Sequence, residues 1–210
     1  IKDGIAAVLL FVQFVFMIPD IIYVLENTGF DPSWRYFLNV VNGTDLKFGR
    51  DIYFTYGPLG YLFYLMKLPG NTIEYWSGIV IWGIIFLFHL WMLLQLYRLY
   101  QKGKIHFWAI TASVCCYLAG YYAPTRDNYL LYVMILAVVL WAKGAKNIVL
   151  IPNLLLLLMF FGKFSTFTSG FAFCILFCIF DVLFRKNWKS IWLFLPGIIL
   201  MPVCYLVYCP

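Results

Sequence analysis

Apolar runs of roughly 18 residues recur along most of the chain, separated by short polar clusters. This pattern predicts membrane-spanning helices over 4–25, 78–99, 106–123, 128–142, 148–162, 167–184 and 190–208. The fourth and fifth are short for a hydrocarbon core of about 30 Å and read as broken or tilted. One stretch departs from the pattern. Residues 26–77 form a polar and aromatic insert that holds most of the acidic residues.

The insert has its own internal order. Asp31-Pro32-Ser33 reads as a helix start, with an acidic N-cap and Pro at the first helical position. Trp34, Phe37, Leu38 and Val41 follow at helical spacing, and Asn42-Gly43 closes a predicted surface helix over 33–41. A charged turn (Asp45 to Asp51) leads into the aromatic segment 52–60, which contains a rigid Gly57-Pro58 turn. A second surface helix is predicted over roughly 59–67, before the Pro69-Gly70-Asn71 turn. The expected fold class is therefore all-α. It is a polytopic transmembrane helical bundle of about seven spans, with two surface helices in the first outer loop.

Composition supports this class. The chain is 64% hydrophobic and only 11% charged, against about 25% charged for a soluble domain. No composition shift marks a second domain, so residues 1–210 read as one transmembrane module. The start at Ile1 without Met, and the stop at Pro210 after an apolar run, read as the N-terminal part of a longer protein. Span 4–25 is not followed by a small-residue cleavage site and is not read as a signal peptide.

The net charge of +6 is unevenly distributed. Lys2, Arg98, Lys102, Lys104, Lys143, Lys146, Arg185, Lys186 and Lys189 fall on one side of the predicted spans. Arg35, Lys47, Arg50, Lys67, Arg126 and Lys163 fall on the other, among most of the acids. The positive-inside rule places the N-terminus in the cytoplasm and the 26–77 loop outside. The basic surplus reads as topology and contact with lipid headgroups, and not as nucleic-acid binding.

The six cysteines lie in or beside apolar spans, without a CxxC pair or ligand-spaced His, and read as packing residues. His89 lies mid-span without a second ligand at i+3 or i+4. Asp31 can act as a general base beside the membrane's low-dielectric wall, or simply cap its helix. Arg50-Asp51 can grip a phosphate and orient a sugar hydroxyl, or form a surface ion pair. Asp127 lies in the short loop 125–128, near enough to the membrane surface to meet Asp31, or to serve as a helix cap. Lys163 is a lone cation among apolar residues, which can hold a lipid phosphate or snorkel to headgroups.

In order, these features resemble the multispanning lipid-linked glycosyltransferases of the GT-C superfamily, of the protein mannosyltransferase and aminoarabinose transferase type. In that family the first outer loop opens with an acidic catalytic residue, which Asp31 matches. A Tyr-x-x-x-Pro-Pro-Leu-like element leads into the second surface helix, and Tyr53-Phe-Thr-Tyr56-Gly57-Pro58-Leu59 resembles it, with Gly57 replacing one Pro. The resemblance implies Asp127 as a second catalytic acid, and Arg50, Asp51, Tyr56 and Lys163 as substrate-binding residues. It implies transfer of a sugar from a polyprenyl-phosphate donor to an acceptor on the outer face of a bacterial plasma membrane. A paired Asp-Glu or Asp-x-Asp is missing here, which leaves a divalent metal open. A transporter or channel is the competing class, but Gln13, Asp20, His89 and Gln95 are too scattered to draw a pathway. A non-catalytic polysaccharide-assembly subunit of the same fold is the third.

Overall fold

Pro19 sets the end of the first helix, because its ring clashes with the carbonyl of the preceding turn and it has no N–H to donate. In the computed structural model, which describes residues 2–22, 30–52, 55–111 and 125–208, helix α1 (Lys2–Met17) stops two residues before it. At 1.5 Å per residue α1 is about 24 Å long. The helix expected over 4–25 is therefore shorter. The chain beyond it is extended at Ile22, which forms a parallel bridge with Leu65.

Helix α2 (Phe30–Val40) runs on as a 3-10 turn, Val41–Gly43, closed by the Thr44 N–H and hydroxyl on the Val41 carbonyl. It begins ahead of the expected 33–41, so Asp31 lies inside the first turn and not at the cap. The second surface helix is replaced by a short 3-10 helix, Gly60–Tyr64, and an extended chain from Leu65. Gly60, Tyr61, Leu62 and Phe63 are buried, so this segment is core and not surface.

Its backbone is satisfied by side chains instead of by a helical ladder. The buried Asn39 donates to the Tyr64 carbonyl at 2.7 Å and accepts from the Met66 N–H at 3.0 Å. The buried Asn71 donates to the Met66 carbonyl and accepts from the Leu68 N–H, both at 2.9 Å. Trp82 donates its indole N–H to the Leu62 carbonyl at 3.0 Å. Irregular backbone is tolerated beside a membrane core only where protein covers it and supplies such partners.

Helix α3 (Thr72–Gln101) is about 45 Å long and packs against α1. Residues 107–111 are helical, and the remainder of the expected span 106–123 lies outside the described residues. Helix α4 (Arg126–Ala142) packs between α3 and α5 (Leu150–Gly162). Helix α6 (Phe164–Arg185) follows α5 after a single extended residue, Lys163, and folds back along it. A 3-10 helix (Trp188–Leu193) and α7 (Leu195–Tyr208) complete the bundle against α5.

Among the described residues the fold is all-α, with only isolated β-bridges. Among the described residues, three helical stretches are long and apolar enough to cross a membrane: 72–101, 164–185 and 188–206. Their outward faces are apolar, as at Leu87, Phe184 and Leu206, while polar groups turn inward. Gln13 donates to the Tyr132 hydroxyl at 2.6 Å, and His89 Nδ1 meets the Tyr129 hydroxyl at 2.8 Å. Apolar-out and paired-polar-in is the arrangement a lipid solvent selects.

Candidate functional site

Only a glycine lets the aromatic loop approach the α5–α6 turn as closely as it does. A Cβ on Gly57 would stand 2.5 Å from the Phe161 carbonyl oxygen, a backbone atom that cannot swing away. Without one, Gly57 donates to the Gly162 carbonyl at 3.0 Å and Leu59 donates to Phe161 at 2.8 Å. Phe164 returns a bond to the Thr55 carbonyl at 2.9 Å, and Tyr56 pairs with Lys163 in an antiparallel bridge. The carbonyls and N–H left over where the helix breaks thus find their partners in the loop. Gly162 is held small by the Phe63 ring above it.

This pairing fixes Lys163 over the Tyr56 ring, 5.2 Å from its centroid, and against Asp127, with which it forms an ion pair. Each of the two charged side chains is about one-fifth exposed. Asp127 occupies the first turn of α4, where the helix dipole also favours its charge, and Thr125 caps that helix through the Asn128 N–H.

Around the pair stands an aromatic cluster carried by α2 and the loop. Trp34 stacks on Tyr56 with centroids 5.0 Å apart, and Tyr64 meets Trp34 edge-on at 4.9 Å. Two guanidinium groups lie over these rings: Arg35 at 4.7 Å from Tyr64, and Arg126 at 5.4 Å from the same ring. Among the described residues the buried Nε of Arg126 has no hydrogen-bond partner. Burial pulls its pKa down from the usual arginine value, while Tyr64, Asp20 and Asp127 act in the opposite sense. Burial likewise pushes the Tyr56 phenol upward, so it stays neutral and offers a hydroxyl, 3.4 Å from that of Tyr64. Three cations, three aromatic rings and one paired carboxylate thus gather at one point, with Tyr56 itself buried between Trp34 and Lys163.

Of the residues expected from the sequence, Tyr56, Asp127 and Lys163 come together here. Arg50 and Asp51 do not join them. They form a bidentate pair with each other at 2.7–3.1 Å on the exposed turn 47–52, where Asp51 also accepts from the Lys47 N–H. Each holds the other charged: the pKa of Arg50 is raised, and that of Asp51 lowered, first by their mutual hydrogen bonds. Asp31 has its backbone one helical turn before Arg35, and its side chain lies outside the described residues. Tyr53 lies outside them as well.

Sequence reasoning missed Trp34, Arg35, Tyr64 and Arg126 as site residues. Arg126 had a signal, since it adjoins Asp127 in the same short loop. Among the described residues no three His, Cys, Asp or Glu side chains gather, so they do not by themselves compose a metal site. Compared with protein-family models, with curated proteins and with solved structures, the chain gives no match.

Proposed function

We propose that this chain is a GT-C-like membrane glycosyltransferase module that moves a sugar from a polyprenyl-phosphate donor to an acceptor on the outer face of the membrane. The observation that carries the reading is the convergence of three separate outer segments on one point: Tyr56, Arg126-Asp127 and Lys163. The buried Nε of Arg126, a donor with no acceptor among the described residues, supports the reading.

In this mechanism Asp31 takes the proton from the acceptor hydroxyl or amine as it attacks the anomeric carbon. The bond from acceptor to sugar forms while the bond from sugar to phosphate oxygen breaks, leaving polyprenyl phosphate. Arg126 and Lys163 stabilise the charge growing on that phosphate. Asp127 holds Lys163 against Tyr56, and the Trp34 and Tyr64 faces pack against the sugar. An apolar groove of about 190 Å³ between α3, α4 and α5 supports a lipidic donor. One of its lining residues, Leu158, is five positions before Lys163, about 7.5 Å along the helix.

The module crosses the membrane about seven times, with its N-terminus in the cytoplasm and the site outside. Supporting this, Lys104, Lys143 and Arg185 gather at the bundle end opposite Lys163. The test is Asp31→Asn in the full-length protein, assayed for turnover of lipid-linked sugar. Turnover should fall about 10²–10⁴-fold, and unchanged turnover would remove Asp31 from the chemistry.

A further inference from the structure

The end of the bundle opposite Lys163 holds a cavity of about 580 Å³, where the last turns of α4 and α6 meet the 188–193 helix. Its floor is built. Asp181 is only 1% exposed and accepts from the Asn187 side chain at 2.7 Å and from Arg185 at 3.5 Å. Asn153 ties the rim together, donating to the Val149 and Trp192 carbonyls at 2.8 Å each. With Asp181 covered, the exposed charges lining the space are the cations Arg185 and Lys189. Trp141 also lines it, while its indole N–H is covered and has no acceptor among the described residues.

We infer that this cavity binds a phosphate group, carried by an anionic membrane lipid. Basic pockets between spanning helices, at headgroup level, are suited to such headgroups. Arg185 is pre-oriented by a buried carboxylate and keeps donors free for phosphate oxygens, since its side chain is half exposed. Lys189 adds a point charge. Trp141 and Trp192 supply the amphipathic rings that settle where tails meet headgroups. Within a turn of Asp181 and Arg185 on the same helix, Phe180 and Phe184 are exposed and apolar, a surface along which acyl chains would lie. The cavity is separate from the Tyr56–Lys163 cluster, being at the other end of α4 and α6.

The test is native mass spectrometry of the full-length chain with phosphatidylglycerol or phosphatidylcholine added in detergent. The wild type should keep one phosphatidylglycerol in preference to phosphatidylcholine. Lys189→Gln should weaken that retention about fivefold, the effect of removing one interfacial lysine charge. Lys189 is exposed, so this variant keeps the fold, and Trp141→Phe is a second, shape-conserving variant expected to act in the same direction. Equal retention of the two lipids, or no change in both variants, overturns the site. Displacement of the lipid by inorganic phosphate overturns its assignment to a lipid and gives it to a soluble anion.

Discussion

Gly57 and Asn39 show how much of this site rests on single atoms. A methyl group at position 57 meets the Phe161 carbonyl, and the loop must withdraw from the helix break to admit it. Gly57→Ala should therefore destabilise the protein by about 1–3 kcal/mol, read as a lower melting temperature in detergent, and should loosen Lys163 as well. Asn39→Ala leaves the Tyr64 carbonyl and the Met66 N–H buried without their partner. Its expected cost is about 2–3 kcal/mol, measured by the same unfolding experiment; a change below 0.5 kcal/mol, typical of unconstrained surface sites, would mean that water reaches those groups. At this scale Tyr56, Asp127 and Lys163 were legible because charged and aromatic residues stand out against apolar surroundings. Trp34 and Arg126 were not. Helical spacing shows that Trp34 shares a face with Leu38, but not that this face meets Tyr56.

Among the elements, the break between α5 and α6 matters most, because it presents a lysine on extended backbone where a loop can pair with it. The Asp127–Lys163 pair joins that break to the start of α4. A double-mutant cycle with Asp127→Asn and Lys163→Gln should give a coupling of about 1 kcal/mol in unfolding free energy. Additive effects would mean the two charges do not support one another. The elements also show where reading the sequence stops. Leu59, Leu62, Phe63 and Met66 recur at helical spacing, yet the segment is a 3-10 turn followed by extended chain. Periodicity reports which residues share a face, and the backbone partners here are Asn39, Asn71 and Trp82 from other elements. Pro19 is a local signal that ends α1 at Met17, because the residue before a proline is turned away from the helical region, whereas apolar run length alone carries the expected span on to 25.

At the scale of the whole molecule, the apolar exterior follows from composition, which is why the helical membrane class was legible at once, whereas the Gln13–Tyr132 and His89–Tyr129 pairings inside were not. The charge asymmetry gives a topology that can be checked. In a background with all six cysteines replaced, Lys47→Cys should react with an impermeant thiol reagent added outside intact cells. Lys102→Cys should react only after permeabilisation; the reverse pattern would invert the protein. The proposed phosphate site is the cationic cluster of Arg35, Arg126 and Lys163. Its most direct test is equilibrium binding of a short-chain polyprenyl phosphate to the purified full-length protein. Lys163→Gln and Arg126→Gln should each weaken binding about tenfold or more, the loss of a charge-assisted bond, while Arg50→Gln leaves it unchanged. Undiminished binding in both of the first two variants would contradict the site.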